Sequence, residues 1–120
     1  MKTIFLVDDV AIANFIMKKL IRIILPSAVV HDYTNSAVAF ESIGTLHPDI
    51  ILLDLNMPDF SGFEFLQKMS KLGMNHKVVI LAASTSNADK EEVKTYKNVT
   101  GYFVKPIDRR QLKQILLGSI

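Results

Sequence analysis

Short apolar runs alternate along this chain with longer segments in which apolar residues recur at helical spacing. Ile4-Phe5-Leu6-Val7 lies in the first run, residues 3–8, which reads as a buried strand. Residues 10–25 follow with Ile12, Phe15, Ile16, Leu20, Ile23 and Ile24 at helical spacing, and Pro26 stops that helix. A second strand is predicted over 28–33 and a weaker helix over 35–46. Pro48-Asp49 introduces a third strand, 49–54. After a loop at 56–60, Ser61 and Glu64 have the spacing of a capping box, opening a helix to about Leu72 that Gly73 closes. Residues 78–83 and 100–104 read as strands, 87–97 and 108–117 as helices. Five strands alternating with five helices predict an α/β domain, a parallel sheet covered on both faces.

Composition narrows the class. A chain of 120 residues suits one domain, residues 1–120, and 49% hydrophobic residues suffice for a core. With no cysteine, disulfides and thiolate metal sites are excluded. No apolar run nears the roughly 18 residues that span a bilayer, and the N-terminus has no signal-peptide pattern. A cytoplasmic protein with no membrane partner is expected. The net charge of +2 is too small to argue for nucleic acid.

The candidate chemistry lies where apolar runs end. Asp8-Asp9 follows the first strand, Asp54 ends the third and Lys105 follows the fifth. In a parallel sheet these ends share one edge, where ligands bind in open α/β folds. Clustered carboxylates need a compensating cation, and hard oxygen ligands suit Mg²⁺ or Mn²⁺. Lys105 supplies a positive point charge for a carboxylate or phosphoryl oxygen. The plainer alternative is local: Asp9 as N-cap of the first helix, Lys105 as a loop lysine. Pro106 after Lys105 makes a sharp turn that would aim the lysine inward. His31, His47 and His76 have no ligand spacing and read as structural or surface residues.

Three stretches carry a family resemblance. They are Phe5-Leu6-Val7-Asp8-Asp9, then Leu53-Asp54-Leu55-Asn56-Met57-Pro58 with Gly62 beyond it, and Gly101-Tyr102-Phe103-Val104-Lys105-Pro106. In order and spacing the chain resembles the receiver domain of two-component response regulators, as in the single-domain chemotaxis regulators. The resemblance implies a flavodoxin-like (βα)5 fold with strand order 2-1-3-4-5. It implies that Asp54 accepts a phosphoryl group from a sensor histidine kinase or phosphotransfer protein. Asp8, Asp9, Asp54 and the backbone carbonyl of Asn56 would then hold the metal, and Lys105 would contact the phosphoryl oxygens. Pro58, Gly62 and Pro106 match loop and turn positions. Such a domain is not an enzyme beyond phosphorylating and dephosphorylating itself.

One position departs from the pattern. The family usually carries Thr or Ser where this chain has Ala82, so one phosphoryl contact is missing unless a register shift brings Ser84 close. Tyr102 matches an aromatic that turns inward on switching. Weakened switching is the expectation, with a pseudo-receiver that binds partners without phosphorylation as the alternative. A more distant alternative is an aspartate-nucleophile phosphohydrolase of the haloacid dehalogenase type. Those place a second Asp two residues after the nucleophile, where this chain has Asn56. Lys90, Lys94 and Lys97, read as one stripe of the fourth helix, and Arg109, Arg110 and Lys113 of the fifth suggest a basic face for an acidic protein partner; a solvated helix surface is the plainer reading.

Overall fold

The computed structural model describes residues 2–118. The strands are β1 (Thr3–Val7), β2 (Val29–Tyr33), β3 (Ile50–Asp54), β4 (Lys77–Ala82) and β5 (Val99–Val104). Between and after them run α1 (Ala11–Ile24), α2 (Ser36–Leu46), α3 (Gly62–Lys71), α4 (Asn87–Lys94) and α5 (Arg109–Leu116). All strand pairs are parallel, in the order β2-β1-β3-β4-β5. The doubly wound fold expected from the sequence is the one observed. The chain leaves β1 towards β2 and returns across it to β3. The edge between β1 and β3 is therefore the switch point, where the connecting loops part and leave a crevice.

The central strands are apolar on both faces because helices cover both. Phe5, Val7, Ile51, Leu53, Val78 and Ile80 face one core, shared with α2, α3 and Val93 of α4. Ile4, Leu6, Ile50, Leu52, Val79 and Leu81 face the other, shared with α1 and α5. Fully burying one such side chain contributes about 1.5–3 kcal/mol, so the strands beneath the site are strongly fixed. Ser61 and Glu64 form the predicted capping box, and Gly73, at φ 67°, closes α3.

Two helices differ from expectation. In α1, Ile12, Phe15, Ile16 and Ile23 are exposed, by 53–61%. The inward side instead carries Asn14 and Ile21, with Met17, Leu20 and Ile24 half-buried. Apolar residues occupy more of this helix than the sheet can cover, so their spacing does not single out the buried face. The fourth helix ends at Lys94, and Lys97 lies in the turn beyond it, so no three-lysine helical stripe exists. Tyr96, half-buried against the core, draws the chain towards β5 at that point. Among the described residues no helix is long and apolar enough to cross a membrane.

At the opposite end of the sheet from Asp54, the rings of His47 and His76 stack with centroids 5.9 Å apart. His76 Nδ1 is buried without a hydrogen-bond partner among the described residues. Burial, and then the charge of His47, hold the His76 pKa below its ordinary 6.5. The folded chain thus binds fewer protons there than the unfolded chain, and stability falls as pH drops through and below 6.5. Thermal melts from pH 7.5 to 5.5 are expected to show a falling Tm, with a shallower slope in His76→Gln.

Candidate functional site

Parallel register brings the acidic residues together. Val7 pairs with Leu53 in the β1–β3 ladder, so Asp8 leaves β1 beside Asp54 at the end of β3. One carboxylate oxygen from each of Asp8, Asp9 and Asp54 lies within 4.8 Å of the others. Asp8 and Asp54 are buried, at 7% and 4% exposure, and Asp9 is exposed. Lys105 extends from the end of β5 and donates to Asp8 Oδ2 at 2.7 Å. The same ammonium lies 3.3 Å from Asp54 Oδ2. The four residues singled out in the sequence thus meet at one edge.

Asp9 does not cap α1. The N-cap is Val10, which has no side-chain cap, and its backbone N–H donates instead to Asp8 Oδ1 at 2.9 Å. Asp9 is left free to face the cluster. Asn56 donates its N–H to Asp54 Oδ1 at 3.1 Å, which orients the carboxylate. Burial raises the Asp54 pKa above the ordinary 3.8 and the neighbouring Asp8 charge adds to this, while the Asn56 hydrogen bond and Lys105 oppose it. For Lys105, burial alone would lower the pKa. The hydrogen bond to Asp8 and the charges of Asp54 and Asp8 outweigh it, and the pKa lies above the ordinary 10.5.

Three carboxylates (−3) facing one ammonium (+1) leave −2 at the edge. That imbalance, and a donor set made wholly of oxygen, fit a hard divalent cation.

The loops around the cluster are held closely. Gly62 donates to Leu55 O at 3.0 Å, and a Cβ at Gly62 would stand 2.7 Å from the Leu55 Cα and 3.0 Å from Asp54 O. Only glycine lets α3 begin this close to the end of β3. In the turn before it, Phe60 donates to Pro58 O at 2.6 Å, and Asp59 sits at φ 61°. The Lys105–Pro106 bond is cis, and Lys105 N–H donates to Ala82 O at 2.7 Å.

Ala82 is buried at the end of β4, paired with Val104. Ser84 is exposed on the following loop, and its backbone carbonyl accepts from the Tyr102 hydroxyl at 3.1 Å. The basic residues separate into two groups. Lys90 and Lys94 lie on α4, over one face of the sheet, and Arg109, Arg110 and Lys113 on α5, over the other.

Sequence reasoning missed Asn14. Buried on α1, it donates through Nδ2 to Asp8 O at 3.0 Å and to Tyr33 O at 3.1 Å, tying the acidic turn to the end of β2. A lone polar residue among the apolar positions of α1 was its one signal.

Two substitutions test this account. Asn14→Leu removes the only side-chain donor to Asp8 O among the described residues. It is expected to destabilise the chain by about 1–3 kcal/mol in urea unfolding, the cost of a buried group left unpaired. Asp54→Asn removes a carboxylate whose raised pKa opposes folding at neutral pH. In metal-free buffer at pH 7 it is expected to raise Tm, and the gain should vanish as pH falls towards 4.

Comparison with known proteins agrees with this arrangement. Residues 4–117 match the model of the response regulator receiver domain. The chain is 33% identical over 115 residues to the nitrate/nitrite response regulator protein NarL of Escherichia coli, a match covering 95% of this chain and 52% of NarL. The chain thus spans about half the length of that relative. It is 29% identical over 87 residues to the chemotaxis protein CheY of Thermotoga maritima, with 72% of each chain covered. The fold superposes on Vibrio cholerae chemotaxis protein CheY4 with a TM-score of 0.87 at 24% identity, covering 100% of this chain and 99% of that one. The motifs, the strand order and the family match agree: the chain belongs to the response regulator receiver domain family.

Proposed function

We propose that residues 1–120 form one phosphoacceptor domain, with Asp54 as the residue that accepts the phosphoryl group. The observation that carries this reading is the Asp54 carboxylate at the switch point, 3.3 Å from Lys105 Nζ and within 4.8 Å of Asp8 and Asp9. The donor is the phosphohistidine of a sensor histidine kinase or phosphotransfer protein. An Asp54 oxygen attacks phosphorus in line, the P–O bond forms, and the P–N electron pair returns to the imidazole. Asn56 N–H holds the attacking carboxylate in orientation, and Lys105 offers positive charge to the transferring oxygens.

Asp8, Asp9, Asp54 and the Asn56 carbonyl are the residues that would hold Mg²⁺ or Mn²⁺. The bound cation supplies neutralisation of the phosphoryl charge. A bound divalent cation would balance the −2 charge of the cluster, so Mg²⁺ is expected to raise the Tm of the wild type more than that of Asp54→Asn.

Ala82 offers no hydroxyl to a phosphoryl oxygen, and Ser84 is turned to solvent. Tyr102 is already held by the Ser84 carbonyl. Both observations favour weak coupling between phosphorylation and output. One hydrogen bond to a charged group contributes about 1.5–3 kcal/mol, and a ligand shifts a conformational equilibrium only by its differential affinity for the two states.

A small phosphodonor such as acetyl phosphate, with Mg²⁺, is expected to label the wild type stoichiometrically. Asp54→Asn should take no label and Lys105→Ala very little, read by Phos-tag gels. A wild-type chain without label would favour the pseudo-receiver reading, and continuous turnover the phosphohydrolase. Ala82→Thr should deepen the difference between the NMR spectra of phosphorylated and free forms. An unchanged difference would remove Ala82 as the cause of weak switching.

A further inference from the structure

The turn between β1 and α1 carries two of the three clustered carboxylates. Asp8 donates its N–H to Tyr33 O at 3.1 Å, and Val10 donates to Asp8 Oδ1 at 2.9 Å. Those bonds orient Asp8. Asp9 is exposed, so packing does not set the direction of its carboxylate. What sets it is the peptide unit that joins the two residues. That unit is planar, so holding its carbonyl also fixes the plane from which Asp9 departs. The carbonyl is Asp8 O, and it accepts from Asn14 Nδ2 at 3.0 Å.

Asn14 is itself firmly placed. It is 2% exposed, and its Nδ2 also donates to Tyr33 O at 3.1 Å. Its backbone N–H donates to Val10 O at 3.3 Å, which closes a ring through Val10 and Asp8. The cavity beside it is walled largely by apolar side chains, Leu6, Met17 and Leu20 among them. Hydrogen bonds are stronger in such surroundings than in water. The residue type also matters. A primary amide brings two N–H donors and no charge, whereas Ser or Thr brings one donor. Lys or Arg would add a second cation to a cluster whose −2 charge suits a divalent ion.

We propose that Asn14 is a positioning residue for the cation site. It holds the Asp8–Asp9 peptide so that both carboxylates face Asp54 before a cation arrives. Both of its side-chain N–H groups are spent on carbonyls, so it acts through the turn and not by touching the ion. Without this clamp, repulsion within the cluster turns Asp9 towards solvent, where its charge is screened. A cation must then draw it back, and affinity falls with the lost pre-organisation. The inference rests on the reading that Asp8, Asp9 and Asp54 hold Mg²⁺ or Mn²⁺.

Mn²⁺ titration of the unphosphorylated chain, followed by the paramagnetic resonance of the free ion, tests it. Asn14→Leu, similar in size but without a donor, is expected to weaken Mn²⁺ binding about 10-fold. Asn14→Ser, able to keep one bond, should weaken it less, and it carries the test if the leucine variant does not fold. In the metal-free chain the Val10 amide should exchange hydrogen faster in both variants than in the wild type. Ile43→Ala, a truncation in the last turn of α2 at the far end of the sheet, is the control. It should lower Tm, yet leave Mn²⁺ affinity within about 2-fold of wild type, as distant sites act independently. Wild-type affinity in the folded Asn14 variants would overturn the proposal, as would unchanged exchange at Val10. An equal loss in Ile43→Ala would also overturn it, by marking the effect as general destabilisation. A wild-type chain that binds no Mn²⁺ would overturn the cation site itself, and this assignment with it.

Discussion

Carboxylates crowded at the edge of an apolar sheet repel one another, and the site is organised around that repulsion. Two unit charges 4 Å apart at an effective dielectric near 20 cost about 4 kcal/mol, less where one is exposed as Asp9 is. The fold meets this cost with one ammonium. Lys105 reaches from the far strand of the sheet to Asp8 and Asp54 at 2.7 and 3.3 Å. It leaves a net −2, which is the charge a divalent cation brings to balance. A site fully neutralised by the chain itself would have little reason to take up a metal.

Rigidity below the edge makes the crowding possible. Ile50–Asp54 is buried throughout, between two cores and between two parallel neighbours. Gly62 lets α3 begin against the end of β3, and Asn14 ties the Asp8 turn to β2. Apolar burial thus fixes the backbone, hydrogen bonds set the carboxylate orientations, and charge remains to be satisfied from outside. The loop from Ala82 to Ser86 is built differently. The Ala82 side chain has no polar atom to offer the pocket, and Tyr102 bonds to the loop carbonyl of Ser84. In the phosphoacceptor reading proposed above, binding chemistry and the element that would report it are only loosely joined.

Much of the fold was legible because parallel strands buried on both faces appear as unbroken apolar runs, as in Ile4–Val7 and Ile50–Leu53. The capping pair Ser61 and Glu64 and the closing Gly73 are local signals and appear where the sequence places them. The outward side of α1 was not legible. Apolar residues populate most of that helix, and periodicity alone cannot say which of them the sheet covers. Lys97 was drawn into a helical stripe by its spacing, yet the chain leaves the helix after Lys94 to reach β5. The division of the basic residues between opposite layers was invisible for the same reason: spacing reports neighbours on one element, not which face of a sheet that element covers.

The sequence by itself determined the element order, the family, and the four residues Asp8, Asp9, Asp54 and Lys105. Each of these is a local matter of residue type at the end of an apolar run. Tertiary structure decided what lies far apart in the chain but close in space. Lys105 and Asp8 are 97 positions apart, and only the register of the parallel sheet brings them to 2.7 Å. It also decided that Asn14 is an internal tie, that Ser84 faces solvent, and that the basic residues of α4 and α5 lie over opposite faces of the sheet. Those outcomes depend on which surfaces the sheet has room to cover, a property of the packed whole that no single segment carries.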